Sequence, residues 1–245
     1  MKIPHYKISY AQNFEDLILS GILKGVENGF YVDVGANHPT QDSVTKIFYD
    51  KGWTGINVEP NKSLHALLCA DRPKDINLQI GLSSQPGRLS FRSYESLDGL
   101  STFSMETKEN VEEVWPIASF SDSEVEVQRL SDVLRENRRV GDIHFLKIDV
   151  EGLELEVLLG NEWDIFRPWI LCIERNQNEA RRAAYITFLN HWRYRSAFYD
   201  GINDYFVSLE REDVWAAFSY AGDVVMNGVV VNHIFIKCIS ELANQ

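Results

Sequence analysis

Gly29-Phe30-Tyr31-Val32-Asp33-Val34-Gly35-Ala36-Asn37-His38 runs an apolar strand straight into an acidic turn that holds one glycine. Further along, Gly55-Ile56-Asn57-Val58-Glu59-Pro60 repeats the pattern, with a single carboxylate at the strand's end. In an open parallel sheet, ligands sit outside the carboxyl ends of the strands. The first strand-to-helix turn approaches the ligand with backbone, and an acid on the next strand accepts from ribose hydroxyls. The two segments therefore point to an adenosine-type cofactor. The first turn, Asp33-Val34-Gly35-Ala36-Asn37, lacks the second and third glycines that admit a pyrophosphate. A dinucleotide is disfavoured, and a nucleoside without phosphates fits better.

Strand-like runs at 29–34, 54–59, 76–80, 143–149 and 169–174 alternate with helical runs near 12–25, 41–51, 62–70, 153–160 and 178–191. This rhythm predicts an α/β fold of βαβ units, a mostly parallel sheet and helices on both faces. Two aromatic-rich runs, 195–199 and 204–209, flank Asp200-Gly201-Ile202-Asn203 and predict a β-hairpin. Five parallel strands closed by a hairpin is the Rossmann-like arrangement of class I methyltransferases. A dehydrogenase would continue with another parallel unit. Residues 84–128 break the rhythm with a hairpin strand at 88–94 and then a long polar connection carrying Phe103, Trp115 and Phe120. Such a connection reads as a lid or substrate insertion, mobile over 95–123 and ordered by ligands.

The chain's 245 residues and 44% hydrophobic content suit a single domain spanning 1–245, with 211–245 as a C-terminal extension. A net charge of −12, with no dense basic block, argues against nucleic acid and anionic membrane surfaces as partners. Neither a signal core nor a membrane-spanning apolar run is evident, so a soluble, cytoplasmic protein is expected. Cys69, Cys172 and Cys238 are scattered in apolar surroundings and read as buried, reduced thiols.

Several segments together resemble the FkbM family of S-adenosylmethionine-dependent methyltransferases: Ser9-Tyr10-Ala11-Gln12-Asn13-Phe14-Glu15-Asp16-Leu17, Tyr31-Val32-Asp33-Val34-Gly35-Ala36-Asn37, Asn57-Val58-Glu59-Pro60-Asn61, Phe145-Leu146-Lys147-Ile148-Asp149-Val150-Glu151-Gly152 and Tyr199-Asp200-Gly201-Ile202-Asn203. The likeness covers roughly residues 8–210 and departs at Phe14, where the family often has glycine. It implies S-adenosylmethionine as cofactor and O-methylation, commonly of sugars in surface polysaccharides and glycoconjugates or of natural products.

By that likeness Asp33 helps hold the methionine moiety and Gly35 lets the cofactor approach the backbone; Asp33 could instead cap the following turn. Glu59 is expected to accept both ribose hydroxyls, since a carboxylate's paired lone pairs match a vicinal diol; it could instead serve as an N-cap partner of the helix that follows Pro60. Asn37 caps the next helix or touches the cofactor, and His38 reads as a turn residue. Gly81-Leu82-Ser83 ends the third strand, with Ser83 against the adenine or as a plain strand exit. Gln12 and Asp16, four apart on one helix face, either close over the site or face solvent.

Asp149, Glu151 and Glu174 are delivered to the same sheet edge and are the candidate catalytic acids; by the likeness Asp149 also meets the cofactor, at the position from which class I methyltransferases address the transferring methyl. A carboxylate whose pKa is raised by acidic neighbours can take the acceptor hydroxyl's proton as general base. The same cluster could hold Mg²⁺, with Asp149 and Glu174 as the ligand pair. The metal-free version is preferred, because alternation separates Asp149 from Glu151 unless the strand has ended at Asp149. Lys147 is given no chemistry, and Glu174 could equally form a salt bridge with Arg175 or Arg181. The competing readings are a nicotinamide-dependent oxidoreductase, disfavoured by the missing phosphate loop, a methyltransferase of a small natural product, and a non-catalytic S-adenosylmethionine-binding module. The oligomeric state is not legible.

Overall fold

The computed structural model describes residues 8–95, 98–137, 141–175 and 178–219. Its first half comprises α1 (Glu15–Ile22), β1 (Phe30–Val34), α2 (Lys46–Asp50), β2 (Thr54–Val58), α3 (Lys62–Asp71), β3 (Ile76–Leu78), β4 (Gly81–Leu82), β5 (Gly87–Tyr94), a 3-10 turn (Asp98–Leu100) and α4 (Met105–Val114). There follow β6 (Phe120–Gln128), α5 (Leu130–Asn137), β7 (Phe145–Ile148), α6 (Glu154–Leu159), β8 (Ile170–Glu174), α7 (Glu179–His191), β9 (Tyr194–Tyr199), β10 (Asn203–Ser208) and α8 (Glu212–Ser219). The main sheet runs β3-β2-β1-β7-β8-β10-β9. Strands β3 to β8 in that order are parallel, and β10 is antiparallel to both its neighbours. The expected mostly parallel sheet closed by a hairpin is therefore the fold. The strand order reverses between β1 and β7, which opens a crevice beyond their carboxyl ends.

Strand alternation sends the sheet's apolar residues into two cores. Val32, Val34, Leu146, Ile148, Leu171 and Ile173 pack with α5, α6 and α7 through Val133, Val157 and Leu189. Tyr31, Phe145, Cys172 and Tyr205 pack on the other face with α1, α2 and α8 through Leu19, Phe48, Val214 and Phe218. Both faces are covered, as a parallel sheet requires. Helix α8 thus belongs to the core, although residues 211–219 were read as extension. Residues 220–245, with Cys238, lie outside the described residues. Among the described residues no helix is long and apolar enough to cross a membrane.

Four local readings change. The N-terminal helix begins at Glu15, and Gln12 sits in the turn before it; Phe14 holds a left-handed φ of 65°, the conformation a glycine would adopt without strain. The helix expected over 41–51 shrinks to Lys46–Asp50. The preceding loop is held instead by the buried guanidinium of Arg72, which donates to Ser43 Oγ and Thr45 Oγ1 at 2.6 Å and to the Pro39 carbonyl. The third strand stops at Leu78, and Gly81-Leu82 joins a second sheet of order β4-β6-β5. Cys172 is buried, but Cys69 is exposed.

The stretch expected to be an irregular connection is largely regular. Strand β5 matches the anticipated 88–94 and pairs antiparallel with β6 over eight residue pairs, from Gly87↔Val127 to Tyr94↔Phe120. Its partner lies too far along the chain for a hairpin signal. Between them, the Ser104 hydroxyl caps α4. Thr102 and Thr107 hydroxyls donate to the Glu151 carbonyl at 2.9 and 2.8 Å and fasten the insertion to the loop after β7.

Candidate active site

Glu59 follows the last residue of β2 and is 5% exposed. Its Oε2 accepts from the Asn37 backbone N–H and its Oε1 from that of Asn61, both at 2.8 Å. Asn37 takes a left-handed φ of 51° and lines the cleft; it does not cap the next helix, whose N-cap is Thr45. Asn61 caps α3, accepting from Ser63 and Leu64 N–H, which leaves Glu59 free of that duty. Each Glu59 oxygen keeps a further lone pair for a donor. Burial drives the Glu59 carboxyl up to about 7, against the lowering effect of its two backbone donors and of Lys147.

Glu59 opens onto a cleft between the ends of β1, β2 and β7. Val58, Leu82, Phe91, Phe103 and Leu153 supply apolar wall, and among the described residues no lysine or arginine lines it. Phe91 and Phe103 rings lie 4.7 Å apart, and Phe103 packs where a Cβ on Gly81 would sit, 2.6 Å from Cζ. Trp115 and Phe120 of the insertion do not reach this cleft; Phe120 lies under Arg92 instead. Ser83 lines neither cavity: its N–H bonds to the Gln128 carbonyl as the chain leaves β4 and not the third strand, and Gly81 and Leu82 meet the cleft in its place.

Gly35 lines the cleft with a φ of +77°, but its missing Cβ has another cause: that atom would stand 1.8 Å from the Asp149 carbonyl oxygen. The turns after β1 and β7 touch backbone to backbone, and the glycine serves that contact. Asp33 is 1% exposed and lines neither cavity at this edge; its Oδ2 accepts from Thr45 Oγ1 at 2.8 Å and its Oδ1 has no hydrogen-bond partner. The nearest cation is Lys147 Nζ at 3.5 Å.

Lys147, set aside on sequence, is central to the site. The sheet register pairs Asp33 with Lys147 on one face. Its Nζ donates to the Gly35 carbonyl at 2.7 Å and lies 3.2 Å from Asp149 Oδ2. Burial alone would lower the Lys147 ammonium, but the Asp149 and Asp33 carboxylates more than offset it and hold it above the usual range. The register and the shared face were both available signals.

Strand β7 ends at Ile148, one residue before Asp149, and Glu151 takes a left-handed φ of 53°. The turn therefore brings together what alternation would have separated: Asp149, Glu151 and Glu174 each place a carboxylate oxygen within 4.8 Å of the others. Burial, then the charges of Asp149 and Glu154, push Glu151 up to about 8. Burial, then Asp149 and Glu151, carry Glu174 well above the usual carboxylate range. The alternative partners of Glu174 are engaged elsewhere, Arg175 with Asp204 and Arg181 with Glu106. Asp149 and Glu151 line the cleft and also a second, wider cavity of about 470 Å³, where they meet Glu174, Gln12 and Asn37. Gln12 thus reaches the site from a turn, whereas Asp16 is fully buried, accepting from Ser9 Oγ and Tyr10 N–H.

The last resembling segment is structural. Asp200 Oδ1 accepts from Ile202 and Asn203 N–H and its Oδ2 from Tyr205 Oη, while Asn13 and Glu15 bind the same turn through the Asp200 carbonyl and Asn203 Nδ2.

A model of the methyltransferase FkbM domain matches residues 33–200, from Asp33 to Asp200. The chain belongs to the FkbM methyltransferase family. Similar proteins include Methyltransferase 1 of Beauveria bassiana (strain ARSEF 2860), 36% identical over 98 residues that cover 36% of this chain and 39% of that one. Methyltransferase sdnD of Sordaria araneosa is 36% identical over 111 residues, covering 37% and 43% respectively. The chain spans about two fifths of the length of these relatives. A crystal structure of Methyltransferase FkbM from Methylobacillus flagellatus KT aligns with a TM-score of 0.46 at 14% identity, over 74% of this chain and 43% of that one. The FkbM match takes in Glu59, Asp149, Glu151 and Glu174 and leaves Gln12 outside.

Proposed function

We propose that this chain is an S-adenosylmethionine-dependent O-methyltransferase acting on a sugar hydroxyl. The observation that carries the reading is Glu59, a buried carboxylate braced by two backbone donors at the end of β2, facing a cleft with no cationic side chain. The cofactor fits these residues. Glu59 retains two lone pairs for a ribose diol, Leu82, Phe91 and Phe103 offer apolar faces for a base, and the acidic wall suits a cationic sulfonium while opposing a pyrophosphate. When bound, that cofactor supplies an electrophilic methyl group.

The chain's own part is to position the acceptor and take its proton. A hydroxyl seated between the two cavities meets Asp149, whose carboxylate accepts the O–H proton as the oxygen forms its bond to carbon. Lys147 fixes Asp149 from behind, and Glu151 and Glu174 close the wall around it. A divalent-cation version of the same chemistry is favoured by one observation, the mutual 4.8 Å spacing of the three carboxylates. The end of β7 at Ile148 removes the alternation argument against it.

Calorimetry with S-adenosylhomocysteine, followed by a product assay on an acceptor panel, tests the proposal. Asp149→Asn should keep cofactor affinity and lower turnover by about 10²–10⁴-fold, the worth of a positioned acid–base group. Loss of cofactor binding in that variant would make Asp149 structural. Turnover that collapses in EDTA and returns with Mg²⁺ selects the metal version; indifference to chelator selects the general base.

A further inference from the structure

We propose, resting on the methyl-transfer reading, that the acceptor cavity takes a sugar bearing no anionic group and rejects phosphorylated, nucleotide-linked and uronic acid sugars. The cavity of about 470 Å³ joins the cofactor cleft at Asn37, Gly99, Asp149 and Glu151, which line both. An acceptor lying there is in reach of the proton-accepting carboxylates. Its wall carries amides of Gln12, Asn37 and Gln41, which match hydroxyls as donors and acceptors. His38 adds a donor: its Nδ1 accepts from Thr40 and Gln41 N–H at 3.1 and 3.0 Å, which leaves the ring hydrogen on Nε2.

Charge decides the class. Asp42, Asp149, Glu151 and Glu174 stand on this wall, and of the residues lining it only Lys147 is a lysine or arginine. An ammonium has three donors. Those of Lys147 face Gly35 carbonyl at 2.7 Å, Asp149 at 3.2 Å and Asp33 at 3.5 Å, so no cation is left for a phosphate or carboxylate. An anion entering would face the Asp42 and Asp149 carboxylates, with Glu151 and Glu174 raised toward the protonated form, and would find no free lysine or arginine among the described lining residues, a penalty that suppresses wrong ligands.

Saturation-transfer NMR on the protein with and without S-adenosylhomocysteine provides the test. The probes are neutral, amino, uronate and phosphate forms of glucose, galactose and mannose, and their uridine-diphosphate derivatives, with and without Mg²⁺. The neutral and amino forms of at least one sugar should bind, and its anionic forms should bind at least about tenfold more weakly, with the gap narrowing as salt rises. Asp42→Lys, which adds a cation at the exposed rim, should narrow the gap by raising the affinity of the anionic forms relative to the neutral ones. Preferred binding of a phosphorylated or nucleotide-linked form, in either metal condition, overturns the proposal, as does failure of every neutral and amino sugar to bind. If S-adenosylhomocysteine itself does not bind, the methyl-transfer reading falls, while the charge ranking is still measured on the protein without it.

Discussion

Glu59→Gln separates the structural from the ligand-binding duty of the β2 carboxylate, and its effect should depend on pH in a calculable way. Burial raises the carboxyl from its ordinary 4.5 to about 7. A group whose folded-state pKa is raised keeps its proton in the fold at pH values where the unfolded chain has lost it. Its stabilisation is full below about 4.5 and is lost as pH rises to about 7, a change of about 3 kcal/mol at about 1.36 kcal/mol per pH unit. The amide cannot titrate and lacks this slope. Near pH 5 the wild-type carboxyl holds its proton and, like the amide, offers one full acceptor oxygen to the Asn37 and Asn61 N–H groups. The variant should therefore be close to wild type near pH 5 and more stable than it at pH 8, where wild type has lost its proton. In melts, the separation should open by about 6–12 °C across that interval. Cofactor affinity should nevertheless fall about 10–100-fold at pH 8, because a diol then finds one acceptor where it had two. Thermal and calorimetric titrations at both pH values read the two effects separately. Parallel pH dependence in the two proteins would refute the buried-carboxyl argument, and unchanged affinity would refute the ribose assignment.

Gly35→Ala should destabilise by more than about 2 kcal/mol, since it combines a left-handed φ with a Cβ 1.8 Å from a backbone oxygen; normal stability by denaturant titration would contradict that close approach. Lys147→Met leaves Asp33 buried without its cation and should cost about 3–5 kcal/mol, with turnover falling further than cofactor affinity in assays on the folded fraction. Limited proteolysis should cut the free protein within 95–123 and more slowly once cofactor and acceptor are added; equal rates would count against a lid.

The hairpin and the βαβ rhythm were legible because each rests on local chemistry. Asp200-Gly201 closes a short turn through Asp200's own side-chain bonds, and strand ends at Val34, Val58 and Ile148 follow runs of apolar residues. What failed depended on distant partners. Val44, Ile47 and Phe48 have helical spacing, but Arg72, drawn in from the end of α3, satisfies the loop at 39–45 and removes the need for a longer helix. The partner of β5 was hidden for the same reason: β6 is separated from it by a whole helix.

The site shows the same division. Glu59, Asp149, Glu151 and Glu174 could be read because a strand end fixes where the next side chain emerges. Lys147 is not legible from its own strand; only with β7 beside β1 is it paired with Asp33, and a buried acid aligned with a buried lysine is seldom free of it. The residues that make the motifs recognisable also divide by task. Asp33 and Asp200 hold loops, and Gly35 admits the Asp149 carbonyl, so much of the recognisable pattern encodes the frame around the crevice. Residues that would face an acceptor, Gln12, Gln41 and Asp42, sit on exposed turns, and Gln12 falls outside the span matched to the family. Loops carry specificity on a fixed scaffold. Membership of the FkbM family therefore constrains where methyl transfer would occur far more tightly than what receives the methyl group, and the charge of the outer cavity is the part of this chain that speaks to the acceptor.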